Sequence, residues 1–382
     1  MDIQSLIFGL PSVLGGISSA EQWEGRRREI LKQYEDLFYG RVPTRPTEVW
    51  LENISVKGDA LDGLAERREI AAHCFQDGQE KTVRALLYLP AGACCAGEVP
   101  CVVGLNFQGN AACTPEADLA VPPLPGSRRG EQAHRWPFAQ IVRAGFAVIT
   151  AWYGDLFLDE PAGLADSIYK LYYPRKELAA GNRELPAIAA WAGGYHLLRD
   201  IAESEIRVDR RKIWAHGHSR LGKAALWAVA NHSGFAGVIS NDSGCCGAAL
   251  SRGTPPGRER LADITGTFPH WFKPGLDAFC GRENALPLDQ HFLLALAAPR
   301  PLLVASAAED AWAAPECEFA ALLAAGEVYR LLGETALAAD TLYPAPGQPC
   351  FCGRTGYYVR GGRHDVLSYD WETALESIRR FA

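Results

Sequence analysis

The carboxyl-terminal half of the chain alternates short apolar runs with segments of helical periodicity, and this alternation restricts the fold more than any other feature. Helices are expected over residues 186–203, 220–231, 288–298 and 368–381. Short runs typical of buried strands lie at 212–215, 236–240, 301–307 and 356–360. Strands that alternate with helices form a parallel sheet. The pattern therefore predicts an α/β fold, with a mostly parallel sheet covered by helices on both faces.

The amino-terminal half begins with a helical segment at residues 19–38, which Ser19 is in position to cap. Strand-like runs follow at 85–89, 101–105 and 146–151. Residues 114–130 are rich in proline and glycine, which indicates a surface loop. A chain of 382 residues is long enough for two domains, but no break in composition marks a boundary. We expect one domain over residues 1–382, with residues 1–40 as an extension that carries the opening helix.

The composition limits the partners that the chain can have. Hydrophobic residues make up 48% and charged residues 22%, with a net charge of −7, which excludes a disordered chain. Acidic residues flank the densest basic runs, 26–28 and 210–212, so no basic face for nucleic acid is expected. No apolar run is long enough to cross a membrane. The amino terminus lacks the basic region of a signal peptide, which fits a cytoplasmic protein or a secreted one whose leader was removed.

The cysteines are odd in number, and no paired C-x-x-C motifs with metal-binding spacing occur. We expect mostly reduced, partly buried thiols. One or two disulfides in the carboxyl-terminal loop stay open as an alternative. The eleven positions are Cys74, Cys94, Cys95, Cys101, Cys113, Cys245, Cys246, Cys280, Cys317, Cys350 and Cys352.

The stretch AHGHSRLGKAALW, residues 215–227, admits two interpretations. Gly217 to Lys223 match the G-x-x-x-x-G-K of a P-loop, but Ala224 stands where the P-loop needs a hydroxyl for Mg²⁺. In the second interpretation, Ser219 lies on a tight turn between a strand and a helix, where an α/β hydrolase holds its nucleophile. Gly217 fits that turn, whereas the second glycine of the usual motif is displaced by one position to Gly222. We favour the hydrolase interpretation.

Later residues complete a hydrolase constellation in the chain order Ser, acid, His. His364 lies in a glycine-rich loop before the last helix, where such an enzyme carries its base. Asp242 follows strand 236–240 and Asp310 follows strand 301–307. Either carboxylate could fix the tautomer of His364, and periodicity does not choose between them. The sequence therefore predicts an α/β-hydrolase fold with Ser219 as nucleophile and His364 as base.

Six blocks of sequence carry a more specific resemblance. They read GHSRLGKAALW, SNDSGCCGAALSR, FPHWF, LPLDQHFLLALAAPRP, SAAEDAWA and GGRHDVLSYDW. Upstream, EQWEGRRREILKQYEDLFYGRVP, GLNFQGN and ITAWYGDL belong to the same pattern. From about Glu21 to the end, the chain resembles the bacterial glucuronoyl esterases of carbohydrate esterase family 15. The resemblance implies a serine esterase that cleaves the ester between 4-O-methyl-glucuronic acid of glucuronoxylan and lignin alcohols, through an acyl-enzyme.

The resemblance also bears on the acid of the triad. The family's usual acid is a glutamate after the strand that follows the nucleophile helix, and this position is Asp242 here. Some bacterial members carry a carboxylate at the later position, which is Asp310. We expect one of the two to orient His364 and the other to assist or to be dispensable, with Asp242 slightly favoured by the family pattern.

Four further residues are expected around the nucleophile. The backbone N–H of Arg220 suits an oxyanion hole, and the resemblance adds its guanidinium as a donor. The helix dipole disfavours a cation there, so we expect an anionic substrate to compensate it. Lys223 lies one turn from Ser219, and the resemblance makes it a sugar ligand; a lysine stem packed on a neighbouring helix is the alternative. The resemblance also assigns Trp312 and Glu259 to the sugar.

The other polar residues of these blocks are expected to be structural. His216 and His218 lack a third ligand for a metal, and Asp289 and His291 are expected to cap or brace a helix. Residues 104–110 stay open as one wall of the oxyanion side. We expect no metal and no cofactor.

Three alternative functions remain at this stage. They are another carbohydrate esterase such as an acetyl xylan esterase, a catalytically silent carbohydrate-binding relative, and a P-loop nucleotide binder. The expected partner is a glucuronoxylan or lignin-carbohydrate ester, with no nucleic acid or membrane partner, and the chain is expected to be a monomer. The family resemblance implies a secreted or periplasmic protein, although no signal peptide is visible.

Overall fold

A ten-stranded sheet runs through the computed structural model, which describes residues 3–92, 98–179 and 181–381. The strands are β1 (Glu48–Asp59), β2 (Ala65–Gln76), β3 (Gln79–Pro90), β4 (Val99–Asn106), β5 (Ala147–Trp152), β6 (Val208–His218), β7 (Gly237–Asn241), β8 (Leu302–Ala307), β9 (Cys350–Cys352) and β10 (Thr355–Arg360). Their order is β1-β2-β3-β5-β4-β6-β7-β8-β10-β9.

The centre of the sheet is parallel. Strands β5, β4, β6, β7, β8 and β10 pair in parallel, in that order. Antiparallel strands extend the sheet at both ends, with β1, β2 and β3 on one side and β9 on the other. The carboxyl ends of parallel strands share one edge, where open α/β sheets bind their ligands. Residues that directly follow β6, β7, β8 and β10 therefore meet at this edge.

The helices alternate with the parallel strands as the sequence predicts. They are α1 (Ile3–Ile7), α2 (Ala20–Leu37), α3 (Phe138–Arg143), α4 (Ala187–Ser204), α5 (Arg220–Asn231), α6 (Leu261–Thr267), α7 (Gln290–Ala295), α8 (Pro315–Leu331) and α9 (Ser368–Phe381), with a short helical turn at Ala60–Gly63. The expected opening helix is α2. Its N-cap is Ser19, whose backbone N–H donates to the Gln22 side chain at 3.2 Å.

Two apolar cores lie on opposite faces of the sheet, which confirms that helices cover both faces. Alternate strand residues point to opposite sides, so in β8 Leu302 and Val304 join one core while Leu303 and Ala305 join the other. Helices α2, α4, α5, α7 and α8 contribute to the first core, and α3 and α9 to the second.

Several elements were not predicted from the sequence, namely strands β1, β2 and β9 and helices α1, α3, α6 and α8. Strands β1 and β2 carry many polar residues, and β1 is an edge strand with mostly exposed side chains. Helix α8 is buried over most of its surface, so its apolar residues have little helical periodicity. Within the described ranges, no helix combines the length and apolarity needed to span a bilayer.

Candidate active site

Ser219 occupies a strained turn between β6 and α5. Its backbone has φ 57° and ψ −131°, a left-handed conformation that residues with a Cβ rarely adopt. The turn is tight, because a Cβ on Gly217 would lie 2.1 Å from the carbonyl oxygen of Leu221. A Cβ on Gly222 would lie 2.9 Å from the Ser243 side chain. The displaced glycine thus lets helix α5 approach the segment after β7.

His364 is held by Asp310. The imidazole lies in the loop between β10 and α9, and its Nδ1 is 2.5 Å from Asp310 Oδ2. Asp310 follows the neighbouring strand β8 and is buried, whereas 41% of the His364 side chain is exposed. The His364 ring lies 4.4 Å from the ring of His218, the residue before Ser219. A proton on Nδ1 leaves Nε2 free to act as a base beside this turn.

Asp242 approaches the same imidazole but is bonded elsewhere. One carboxylate oxygen accepts the Ala307 backbone N–H at 2.7 Å, and the other is buried without a hydrogen-bond partner among the described residues. The carboxylate oxygens of Asp242 and Asp310 and a nitrogen of His364 lie within 4.8 Å of one another. Burial, reinforced by the charges of Glu318 and Asp310, raises the pKa of Asp242 well above its usual range. The family pattern favours Asp242, but the hydrogen bond joins His364 to Asp310.

Glu318 is a buried acid that sequence reasoning did not identify. It lies in the first turn of α8, and its carboxylate accepts the Gly244 N–H at 2.8 Å and the Ser306 hydroxyl at 2.5 Å. It thereby joins the segment after β7 to the end of β8. Burial raises its pKa to about 7. A glutamate three residues after Pro315, in the first turn of a helix, is a weak indication of a buried acid, and α8 itself was not predicted.

Arg220 has an anionic partner within the protein. Its Nη1 donates to Asp159, in the segment after β5, and its Cζ lies 4.8 Å from the centre of the Trp271 ring. Burial lowers the pKa of Arg220. The expectation that a substrate would compensate this cation needs correction, because the Asp159 carboxylate does so already. Nothing in the sequence around Asp159 pointed to this contact.

Lys223, Glu259 and Trp312 lie near one another. The buried Lys223 donates from Nζ to the Ser243 carbonyl, so its charged end is held in the site. The Glu259 N–H donates to the Trp312 carbonyl at 3.1 Å. Burial raises the pKa of Glu259, while the charge of Lys223 lowers it. Trp312 keeps 51% of its surface exposed, next to Asp310. The structure thus brings together a cation, an acceptor and an exposed ring.

The remaining polar residues of the sequence blocks make structural contacts. His216 stacks on Trp371 at 4.4 Å, and the Nδ1 of His218 is 2.6 Å from Asn241 Oδ1. Asp289 caps α7, and His291 Nε2 lies 2.9 Å from the Pro11 carbonyl.

Residues 104–110 comprise the end of β4 and the turn after it, and Phe107 in this segment lies near the site. The ring of Phe107 lies 5.9 Å from the Arg220 Cζ, so this segment forms part of the surroundings of the guanidinium.

All nine cysteines within the described ranges are free thiols, including Cys350 and Cys352. Cys94 and Cys95 lie outside the described residues.

Comparisons with known proteins identify the family. The family model described as glucuronyl esterase, fungi, matches residues 138–333. A carbohydrate esterase from an unknown prokaryotic organism is 36% identical over 94% of this chain and 85% of its own length. A solved glucuronoyl esterase from Solibacter usitatus has a TM-score of 0.88 at 35% identity, over 97% of both chains. A promiscuous esterase of carbohydrate esterase family 15 from a marine bacterial metagenome has a TM-score of 0.86 at 34% identity, over 98% of this chain and 97% of that chain.

The sheet topology and these relatives define an α/β-hydrolase fold and a carboxylic ester hydrolase. Within that class, the chain belongs to the glucuronoyl esterases of carbohydrate esterase family 15. The family expected from the sequence blocks is confirmed.

Proposed function

We propose that this chain hydrolyses the ester between (4-O-methyl-)glucuronic acid of glucuronoxylan and lignin alcohols, with a triad of Ser219, His364 and Asp310. The observation that carries the triad is the 2.5 Å contact between His364 Nδ1 and Asp310 Oδ2, beside the strained turn of Ser219. A serine on such a turn and an imidazole oriented by a buried carboxylate are what serine-dependent acyl transfer requires. Relatives named as glucuronoyl esterases support the uronate ester as substrate.

The chemistry follows from these positions. Ser219 Oγ attacks the C6 carbonyl carbon, its proton passes to His364 Nε2, and the carbonyl electron pair moves onto oxygen. When the tetrahedral intermediate collapses, the bond to the alcohol oxygen breaks and the alcohol leaves with the proton from His364. Water then attacks the acyl-enzyme by the same route, which frees glucuronic acid and Ser219. The Asp310 carboxylate holds the imidazole in place and stabilises the imidazolium.

We assign the oxyanion to donors of Arg220. Its backbone N–H is the first of helix α5, where the helix dipole favours a negative charge. Its side-chain Nε is buried and has no hydrogen-bond partner among the described residues. A donor without a partner in a water-poor site stabilises a charge that develops only in the transition state.

On the sugar side, we assign Lys223 as a donor and Glu259 as an acceptor for ring hydroxyls. The exposed face of Trp312 supplies an apolar surface for the ring. Asp242 assists by holding the end of β8 through the Ala307 N–H.

Replacement of the nucleophile tests the proposal. Ser219→Ala should lower kcat for benzyl glucuronate about 10⁴-fold to 10⁶-fold, because the attacking oxygen is lost. The control is Ser18→Ala, an exposed serine before α2 that should leave kcat unchanged. Turnover by Ser219→Ala at the wild-type rate would refute the proposed triad.

A second candidate is broader activity on carbohydrate esters, including acetylated xylan. The marine relative is described as a promiscuous esterase, and its likeness to this chain favours this candidate. Lys223→Met keeps the length of the side chain but removes its charge. It should raise KM for benzyl glucuronate about tenfold and leave KM for acetylated xylose unaffected if Lys223 binds the ring of glucuronate alone. An equal rise in KM for both esters would favour the broader activity.

We also propose that the chain acts as a monomeric single domain. One sheet that extends from the antiparallel strands β1–β3 to β9 supports a single domain. Light scattering after size-exclusion chromatography should give the mass of one chain, 41.5 kDa. A mass of two chains would overturn the monomer.

A further inference from the structure

The carboxylate of Asp159 accepts hydrogen bonds from three side chains in separate segments, one of which is the guanidinium of Arg220. It accepts from Arg220 Nη1, from His270 Nε2 at 2.9 Å and from Trp271 Nε1 at 2.6 Å. Asp159 follows β5, while His270 and Trp271 lie in the 3-10 turn Pro269–Trp271. Only 8% of the Asp159 side chain is exposed. The carboxylate therefore fixes three donors in a site from which water is largely excluded.

Aromatic rings limit how the guanidinium can lie. Its Cζ is 4.8 Å from the Trp271 ring centre and 5.2 Å from that of Phe268, and these two rings stack at 3.9 Å. A guanidinium is planar, so rings near its face and a carboxylate at one edge determine its orientation. The edge with Nη1 is occupied by Asp159. The Nε of Arg220 is buried and has no hydrogen-bond partner among the described residues. Arg220 directly follows Ser219 in the sequence.

The neighbouring histidine does not share the charge of Arg220. Burial lowers the pKa of His270 to about 4, with a further contribution from the charge of Arg220. His270 is therefore a neutral donor at pH 7, and Asp159 is the anion in contact with the guanidinium.

We propose that Asp159 is a positioning residue, which holds Arg220 so that its free N–H donor meets the oxyanion of the tetrahedral intermediate. This inference rests on the proposed function of Ser219 and Arg220. The carboxylate acts through Arg220 and does not touch the substrate. Because every ester forms the same oxyanion, the effect of Asp159 is independent of the acyl group.

The test is a double-mutant cycle measured on benzyl glucuronate and on acetylated xylose. It compares Asp159→Asn, Arg220→Ala and the double variant with the wild-type enzyme. The matched control is Glu160→Gln, an exposed carboxylate next in the chain. Rates are expressed per active site, titrated with a serine-directed phosphonate, so that misfolded enzyme does not lower kcat.

Asp159→Asn should lower kcat about tenfold or more on both esters with little change in KM, because the transition-state donor is misplaced. In the Arg220→Ala background the same substitution should cost less than about twofold, and Glu160→Gln should behave as wild type. An unchanged kcat in Asp159→Asn, or an equal loss in the presence and absence of the Arg220 side chain, would overturn the inference. If Ser219→Ala stays active, the proposed function fails instead.

A milder variant keeps the inference testable if Asp159→Asn does not fold. Trp271→Phe removes the indole N–H that donates to Asp159 and retains a ring over Arg220. It should lower kcat about threefold in the wild-type background and not at all in the Arg220→Ala background. A loss of the same size in both backgrounds would count against positioning by Asp159.

Discussion

Asp242 and Asp310 approach one imidazole from neighbouring strands, and their surroundings separate their roles. Asp310 is bonded to His364 Nδ1 and also accepts the Ala313 N–H at 3.4 Å. Asp242 is bonded to the backbone of β8, and its raised pKa keeps it protonated to a higher pH than an ordinary aspartate. A neutral carboxyl stabilises an imidazolium less than a carboxylate does.

This difference predicts unequal effects of removing each charge. Asp310→Asn should lower kcat/KM by about 10³-fold to 10⁴-fold, because the amide no longer fixes the His364 tautomer. Asp242→Asn should cost less than about tenfold, since its bond to Ala307 survives with the amide oxygen. Steady-state rates of both variants on one ester check the prediction. A larger loss in Asp242→Asn would reassign the acid.

Single residues also show where sequence reasoning ends. The chain order of Ser219, acid and His364 was available from the motifs, and the family resemblance pointed to Lys223, Glu259 and Trp312. The choice between the two aspartates depends on which carboxylate meets the imidazole of His364, and the spacing of residues in the sequence does not contain that information. The partner of Arg220 was missed for the same reason, because Asp159 is brought to it only by the fold.

At the scale of elements, the turn between β6 and α5 depends on close contact of backbones. Gly217→Ala should destabilise the protein by about 2 kcal/mol or more, because the added Cβ would lie 2.1 Å from the Leu221 carbonyl oxygen. Gly266→Ala in α6 is the control, since a Cβ there meets nothing within 4 Å. Urea unfolding should place the control within about 0.5 kcal/mol of wild type. Equal stability of both variants would show that the turn is more adaptable than described.

Helix α8 joins two strand ends through Glu318, and this contact predicts a pH effect on stability. The pKa of Glu318 is about 7 in the folded protein against an ordinary value of 4.5, so the folded state holds a proton that the unfolded state releases between these values. Its contribution to the free energy of unfolding is therefore greatest below pH 4.5 and falls by about 3 kcal/mol as the pH rises to 7.

Glu318→Gln cannot titrate in this range, so wild type should lose stability relative to the variant as the pH rises from 4.5 to about 7. Urea unfolding at several pH values measures the difference. If the free energies of unfolding of the two proteins depend on pH in the same way, the Glu318 carboxyl is ionised in the folded protein throughout this pH range.

Periodicity predicts elements where polar and apolar residues alternate along the chain at a regular spacing. Helices α4, α5 and α9 have the expected bounds within a residue, because their sequences carry this spacing, although most residues of α5 are buried. Helix α8 is buried nearly all round, and β1 is mostly exposed, so neither has the alternation that indicates a helix or a strand. These elements are fixed by packing against the rest of the chain.

At the scale of the whole molecule, the fold does not depend on disulfides within the described residues. All nine described cysteines are free thiols, and most are buried. A reducing agent should therefore leave the midpoint of thermal unfolding unchanged, whereas loss of a native disulfide would cost about 2–5 kcal/mol. Differential scanning calorimetry with and without reductant measures this. A lower midpoint of thermal unfolding in reductant would indicate that the protein contains a disulfide, contrary to the free thiols of the described residues.

The sheet order decides which residues meet, and only part of it could be predicted. Alternation of strands and helices implies a parallel sheet, and the sequence places Ser219, Asp242, Asp310 and His364 in segments that follow predicted strands. The order β6-β7-β8-β10 places their four strands side by side. That order follows from long-range pairing, which local sequence patterns do not encode.

The closeness of Asp242 and Asp310 also has an evolutionary consequence. Two carboxyl groups lie within 4.8 Å of one ring nitrogen, on loops that leave different strands. A lineage can lengthen one of these side chains or shorten the other by single substitutions while an acid stays within reach of the base. Ancestral intermediates therefore need not lose turnover, and catalytic acids at different strand ends can share one line of descent.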